Sequence, residues 1–477
     1  MSGYDELTAT FDAQRAAYRR EGPPTAAVRR DRLDRLQVAV LGAADELVDA
    51  IAADFGHRPP AFSLMLDIMV AVDGIGHLRD HLEEWMAPAE VPGSAEAGIP
   101  TTVDVRPRGV VGIVGPWNIP VGLVVQPAAE AIAAGNRVMV KFSEVSARTG
   151  AALARAIAAE FTAEELIVIN GGLDTAIAFS DLPFDHLLLT GSPAAGRAVA
   201  RAAAANLVPV TLELGGKNPV VLGPDADLPL AAERVAVSRL ANGGQACLSP
   251  DYVFVPRSHL DEFVSLTREA FISLYPDFAV HPAVTPIVDD KNVKRITALI
   301  SDAVDKGATA VPTATPTARY LPPILLLDVT DDMTITREEV FGPVLTVYPY
   351  DDIAEVIDYV AAHPSPLAAY WYGEDTPDFR SFRHHAVVGS ITRNDYAAAV
   401  LLPDVPFGGI GQSGMGAYNG RTGFDTFSHR RPVSTTTFPG GVAGALGPAA
   451  LTDPAVADGM WKRIADARKD ALRRLGR

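Results

Sequence analysis

Short β-branched runs alternate with alanine-rich helical runs between Val110 and Glu213, and this alternation leaves the chain few folds to choose from. Val110–Val114, Arg137–Phe142, Leu166–Ile169, His186–Leu189 and Val208–Glu213 read as strands. Val121–Ala134, Ala147–Glu160, Asp174–Ser180 and Ala194–Ala204 read as the helices between them. Strands separated by helices form a doubly wound, mostly parallel sheet. A second alternating region runs from Pro219 to about Thr392 and includes Pro219–Leu222, Tyr252–Val255, Ile324–Leu327 and Leu345–Tyr350. It predicts a second α/β domain. Ahead of both, Asp5–Arg20 and Thr25–Phe55 carry helical spacing, which the Pro/Gly/Ala-rich segment Ala87–Pro100 interrupts. After Pro439 the chain turns Gly-, Ala- and Pro-rich. It ends in a basic stretch, Trp461–Arg477, with Ile464, Ala467, Ala471, Leu472 and Leu475 at helical spacing. The expectation there is a short amphipathic helix docked on the body or a partner subunit, with a membrane-surface contact as the alternative.

A length of 477 residues suits roughly two to four domains. The net charge of −17 repels phosphate backbones, so nucleic acid is not an expected partner. One cysteine, Cys247, excludes an intrachain disulfide and Cys-rich zinc sites. Ten histidines form no H-x-H or H-E-x-x-H pattern, so no metal is expected. The polar N-terminus lacks a signal-peptide core, and the expected compartment is the cytoplasm. Between Arg108 and Glu130 lie 21 uncharged residues. Gly109, Gly112, Gly115, Pro116, Pro120, Gly122 and Pro127 break that run, so a strand, a turn and a helix start fit better than a membrane span.

Five places carry candidate chemistry. Cys247 follows Gly243, Gly244 and Gln245 on a loop between a helix and a strand. A lone cysteine is commonly inert packing, but glycines let another molecule approach the backbone, and a thiolate there would be a nucleophile. Glu213 ends an apolar strand, where parallel sheets place their chemistry; it is a salt-bridging residue or a catalytic base. In Gly115-Pro116-Trp117-Asn118 the Asn118 amide either closes a plain turn or donates to an oxyanion. Thr190–Gly196 opens a helix in a way that suits a pyrophosphate, although it is not the common G-x-G-x-x-G spacing. Lys141 and Glu144 close a strand and either bind ribose hydroxyls or form a solvated pair.

Taken together, GPWNIP, KFSE, LTGSPAAG, LELGGKNP, NGGQACLSPDY, EEVFGPV and PFGGIGQSGMG resemble the aldehyde dehydrogenase superfamily, in that order along the chain. CLSPDY and the ending SGMGAYNGRTGFDTFSH look most like its class 3 branch, which includes coniferyl aldehyde dehydrogenases. The resemblance implies an NAD(P)-binding domain (1–87 and 106–214), a catalytic domain (215–425), a small β oligomerisation arm (88–105 and 426–440) and a tail (441–477). It implies Cys247 as nucleophile, Glu213 as general base and Asn118 as oxyanion donor together with the Cys247 N–H. It also implies cofactor contacts from Trp117, Lys141, Glu144, Gly191, Ser192, Gly196, Glu339 and Phe341. The expected activity is oxidation of an aldehyde, aromatic such as coniferyl aldehyde or medium-chain aliphatic, by a homodimer using NAD, with NADP as the other option. A CoA-acylating enzyme and an inactive ligand-binding relic are the alternatives. Two departures from the family pattern stand out: Phe142 where proline is common, and Ile119 where class 3 relatives often carry an aromatic residue. Ile119, Tyr396, Leu401 and Phe407 are the candidate walls of the substrate pocket.

Overall fold

A computed structural model of the chain describes residues 3–477. The chain forms two compact units. One runs up to Trp85 and continues over Arg106–His429; the other joins Met86–Val105 to Arg430–Arg477.

The first unit holds two sheets. In the six-stranded sheet the order is Gly414–Met415, Val210–Leu214, His186–Gly191, Val110–Val114, Arg137–Lys141, Leu166–Ile169. The five strands expected from sequence are all present and mutually parallel, and Gly414–Met415 adds an antiparallel edge. Strand order reverses between Val110–Val114 and His186–Gly191, and ligands of open α/β sheets bind at the carboxyl ends at such a switch point. The seven-stranded sheet runs Thr309–Pro312, Ile324–Leu327, Val344–Tyr350, Pro250–Pro256, Asn218–Leu222, Ala368–Tyr372, Ser390–Arg393. Only its first pair is antiparallel.

The uncharged run after Arg108 becomes a buried strand, a turn and the helix Gly122–Ala133, as expected. That helix is buried on all sides, Gln126 and Glu130 included, so its polar groups must find partners inside the protein. A different helical stretch, Pro60–Met86, is long and apolar enough to cross a membrane. Here it packs inward through Ile68, Val72, Ile75, Leu78, Leu82 and Trp85, and it carries the fully buried Asp67.

The N-terminal helices clamp the six-stranded sheet. Thr25–Phe55 is two helices, Ala26–Gly42 and Ala44–Phe55, broken at Ala43. Arg32 and Arg35 both reach Glu165, just before strand Leu166–Ile169, at 3.1 and 3.0 Å.

In the second unit, Ala89–Glu90, Thr101–Pro107 and Ser428–Ser434 form a three-stranded sheet. Arg431 pairs with Asp104 across it at 2.8 Å. The tail helix Pro454–Arg474 is capped by Asp453, whose side chain accepts from Ala455 N–H. None of its residues is buried, and Trp461, Ile464 and Leu475 are exposed. The expected amphipathic helix is present, and its apolar side chains are exposed within the single chain.

Burial alone would raise the Glu165 carboxyl, but its hydrogen bond with Arg35 and the charges of Arg35 and Arg32 outweigh this and hold it at about 2. The folded value lies below the ordinary 4.5. Its stabilisation is therefore complete above pH 4.5 and is lost as pH falls towards 2. Glu165→Gln should lower the urea midpoint at pH 7, with the gap to wild type narrowing below pH 4.5. A gap that is constant with pH would contradict this.

Candidate active site

The loop bearing Cys247 joins helix Leu228–Leu240 to strand Pro250–Pro256. Three consecutive residues in it are left-handed: Asn242 (φ 53°), Gly243 (φ 67°) and Gly244 (φ 76°). Asparagine tolerates that region through local hydrogen bonding, and glycine occupies it without strain. Space demands glycine as well. A Cβ on Gly243 would lie 2.6 Å from the Thr285 carbonyl, and one on Gly244 would lie 2.5 Å from that of Gly342.

Side chains from the seven-stranded sheet, the preceding helix and the loop itself hold it in place. Asn218 Nδ2 donates to the carbonyls of Cys247 (2.7 Å) and Ser249 (3.0 Å), while its Oδ1 accepts from Ala368 N–H. Tyr370 Oη donates to the Leu248 carbonyl at 2.6 Å. The buried Arg239 donates to Ser249 Oγ and to the Pro250 and Gly342 carbonyls. Gln245 Nε2 donates to the Asn242 and Pro286 carbonyls, and its Oε1 accepts from Val288 N–H.

Asn118 is tied to this loop. Its Nδ2 donates to the Gln245 carbonyl at 3.2 Å, two residues from Cys247. Its own carbonyl accepts from Arg58 Nη1 (3.0 Å) and Asn242 Nδ2 (3.1 Å). Arg58 in turn pairs with Asp67 at 2.9 Å, and Asp67 Oδ1 accepts from the N–H of Val121 and Gly122.

Glu213 is buried at the end of strand Val210–Leu214, and neither carboxyl oxygen has a hydrogen-bond partner. Burial, and then the nearby carboxyl of Glu130, hold it well above the usual carboxylate range. The Cys247 thiol is pushed up to about 12 by burial and by the charges of Glu339 and Glu213. The N–H groups of Cys247 and Leu248 oppose that shift by pointing at the sulfur. Cys247, Asn118, Glu213 and Glu339 therefore share one site.

Of the residues expected to hold a dinucleotide, Trp117, Gly191 and Ser192 follow or end the two strands that flank the switch point. Ser192 caps helix Pro193–Ala205 by accepting from Ala195 N–H, and no acid sits in its first turn. Gly191 ends the preceding strand. A Cβ on Gly196 would lie 2.6 Å from Leu214 Cδ2, so only glycine lets the helix seat this close to the sheet. Thr190 Oγ1 is buried without a partner. Lys141 Nζ donates to the Phe142 carbonyl at 2.7 Å and lies 3.9 Å from Glu144. Trp117 meets Phe341 edge-on at 5.4 Å. Phe341 itself is left-handed (φ 47°). The Glu339 carboxyl lies over Gly215, where a Cβ would be 2.0 Å from Oε2, and accepts from Gly216 N–H. Orphaned N–H groups at a helix start, an unpartnered hydroxyl, an aromatic pair and a lysine–glutamate pair fit a pyrophosphate, a planar ring and a ribose.

Cys247, Tyr396, Val400 and Phe407 pack against one apolar cluster. Ile119 is half-buried beside Asn118. Leu401 is 65% exposed and is absent from that cluster, which its neighbours Val400 and Ala397 join. Among the described residues, no group of three or more His, Cys, Asp or Glu is placed to hold a metal. Arg58, Asp67, Asn218, Arg239 and Glu130 were not singled out from sequence. Two of them carried a signal: Asn218 lies inside LELGGKNP, and Glu130 is the first charge after the long neutral run.

The profile described as the Aldehyde dehydrogenase family matches residues 2–433. The coniferyl aldehyde dehydrogenase of Pseudomonas sp. strain HR199 is 40% identical over 442 residues, covering 90% of this chain and 91% of that protein. The substrate-bound Staphylococcus aureus AldH superposes with a TM-score of 0.86 at 30% identity, over 90% of this chain and 94% of its own. A Mycobacterium tuberculosis aldehyde dehydrogenase complexed with NAD+ gives a TM-score of 0.82 at 29% identity, over 92% and 91% of the two chains.

Alanine at position 244 must adopt a positive φ and drive its Cβ into the Gly342 carbonyl. A displacement of 1 Å at a reacting group costs about 100-fold in rate. Gly244→Ala should lose activity on that scale while still quenching tryptophan fluorescence with dinucleotide. Near-normal turnover would show that the loop geometry does not matter.

Proposed function

The chain belongs to the aldehyde dehydrogenase family and oxidises aldehydes with NAD(P), and on that premise we propose that Cys247, Asn118 and Glu213 perform the reaction in a site shared with Glu339. The carrying observation is a buried carboxyl with both oxygens free, Glu213, whose charge is felt at the half-buried Cys247. The six-stranded sheet is assigned to cofactor binding and the seven-stranded sheet to catalysis. Lys141 and Glu144 are assigned to the adenosine ribose. The helix start at Ser192, with Gly191 and Gly196, is assigned to the pyrophosphate, and Glu339, Phe341 and Trp117 to the nicotinamide side.

Cys247 gives up its thiol proton to solvent, and the thiolate Sγ attacks the aldehyde carbon to form a thiohemiacetal. The carbonyl oxygen becomes an oxyanion that accepts from Asn118 Nδ2 and Cys247 N–H; losing one such donor costs about 3 kcal/mol of barrier. When bound, the nicotinamide supplies the hydride acceptor for the oxidation. The thioester left on Cys247 is hydrolysed by a water whose proton Glu213 takes, and its raised proton affinity suits it to that task. The C–S bond breaks with its electron pair on sulfur, which restores Cys247.

Aromatic aldehydes of the coniferyl type are the proposed substrates. The named activity of the Pseudomonas relative supports this, as do the aromatic Phe407 and Tyr396, which pack with Cys247 against one apolar cluster. NAD is the proposed physiological cofactor, because Glu144 would face a 2′-phosphate with like charge and Arg148 is turned to the Ala53 carbonyl. A cytoplasmic homodimer is proposed, with the exposed strand Ser428–Ser434 as its joining edge.

Cys247→Ser should abolish aldehyde-dependent NADH formation, and Glu213→Gln should give a single-turnover burst followed by a trapped acyl-enzyme. Unchanged steady-state turnover in either variant would overturn its assigned role. In a panel of coniferyl, benzyl and medium-chain aliphatic aldehydes, kcat/KM should be highest for the aromatic members and with NAD. Glu144→Gln should narrow the gap to NADP; an aliphatic or NADP preference in the wild type would refute this specificity.

A further inference from the structure

Glu130 has no part in the chemistry above, yet it sits in the same dry region. It is fully buried in the middle of helix Gly122–Ala133. Its Oε1 accepts from Gln126 Nε2 at 2.9 Å, and its Oε2 has no side-chain partner. The N–H groups of Asn419 and Gly420 point at the carboxyl. Gly423 is glycine because a Cβ there would lie 1.8 Å from Glu130 Oε2.

One short segment links this carboxyl to the proposed base. Gly414 pairs with Glu213 at the sheet edge, and six residues later Gly420 caps Glu130. Between them, the buried Tyr418 feels the charges of Glu213, Glu130 and Cys247 together. The other charged groups on packed elements are engaged elsewhere. Arg421 pairs with Asp425 at 3.0 Å, Arg29 donates to the Ala133 carbonyl, and Asp67 pairs with Arg58. His186, one strand over, is held neutral by burial and bonds Thr211. Among the described residues, no cation is placed to offset the two carboxyls.

Resting on the reading of Glu213 as the base, we infer that Glu130 is a positioning residue for it: charge on Glu130 holds the proton on Glu213, and the two carboxyls take up and release protons as one pair during thioester hydrolysis. Like charges close together in a water-poor site resist joint ionisation, and their titrations merge into steps that belong to the pair. Burial raises Glu130 to about 8, and Glu130 in turn raises Glu213. In hydrolysis the water oxygen bonds to the thioester carbon, its proton moves to Glu213, and the C–S electron pair returns to Cys247. The negative charge of Glu130 favours keeping that proton until the acid product has left.

The test is the pH dependence of acyl-enzyme decay, followed after the NADH burst in wild type, Glu130→Gln and Glu130→Asp. Glu130→Gln removes the charge and keeps the shape. Its acid limb should move to lower pH, with decay at the foot of the wild-type limb about threefold faster or more. Its burst amplitude should be unchanged, and Glu130→Asp should keep the wild-type limb. A Glu130→Gln profile that superimposes on wild type, or is only scaled down, overturns the inference. Coupling between two proton sites is reciprocal, so infrared titration of Glu213→Gln gives a second reading that needs no change at Glu130. The buried carboxylic C=O band should ionise at lower pH than in wild type, and an unmoved band also overturns the inference. Full turnover in Glu213→Gln would instead refute the base assignment itself.

Discussion

The main-chain carbonyl of Asn118 is the knot of the site. It accepts from Arg58, in the N-terminal helical region, and from Asn242, on the thiol loop. Those donors lie far apart in the chain. With both bonds made, the turn that carries Asn118 cannot move without disturbing the loop that carries Cys247. Arg58 is fully buried and can sit there only because Asp67 compensates its charge. Asp67 in turn fixes the start of helix Gly122–Ala133 by accepting from Val121 and Gly122 N–H. Breaking one side of such a pair leaves an unpaired buried charge, at a cost of about 3–5 kcal/mol. The N-terminal helices are thus part of the frame that fixes the proposed catalytic site.

The electrostatics follow from dryness. Burial is the largest influence on Cys247, Glu213, Glu130 and Glu339, and it pushes all four towards their neutral forms. Arg239 lies close by, but its donors go to Ser249 Oγ and the Pro250 and Gly342 carbonyls. Burial and the nearby carboxyls of Glu339 and Glu213 thus push Cys247 towards its thiol form. Low dielectric also strengthens every hydrogen bond formed to charge that develops during the reaction.

Much of this was readable from sequence, for physical reasons. Strands such as Val110–Val114 and Arg137–Lys141 are buried on both faces, so they are continuous apolar runs with β-branched residues. Ala368–Tyr372 is equally buried, but two alanines and three aromatics do not carry that signature, and it escaped notice. Ser390–Arg393 and Gly414–Met415 are too short or too polar to announce themselves. Cys247, Glu213 and Asn118 sit in motifs at strand ends, where chemistry is expected. Arg58, Asp67 and Asn218 bond mainly to backbone groups distant in the chain, and neither periodicity nor local spacing encodes such partners. Leu401 and Val400 are adjacent on one 3-10 turn, and only the fold decides which of them faces inward.

The left-handed run at Asn242–Gly244 has a counterpart across the cleft. Phe341 is also left-handed, and the Gly342 carbonyl just after it receives Arg239 and is the atom that excludes a side chain from Gly244. Arg295 adds to the same join by donating to the Glu339 and Val340 carbonyls. Asp251, on the strand that follows the thiol loop, accepts from Val340 N–H at 3.0 Å. The segment assigned to the nicotinamide side and the loop that carries the nucleophile are therefore bolted to one another through backbone groups. Positive φ values cost of order 1–3 kcal/mol at a non-glycine residue such as Phe341 and persist only where surrounding contacts over-determine them. Here those contacts hold the Phe341–Gly342 backbone against the loop that carries Cys247, an arrangement on which the roles proposed for the two segments depend.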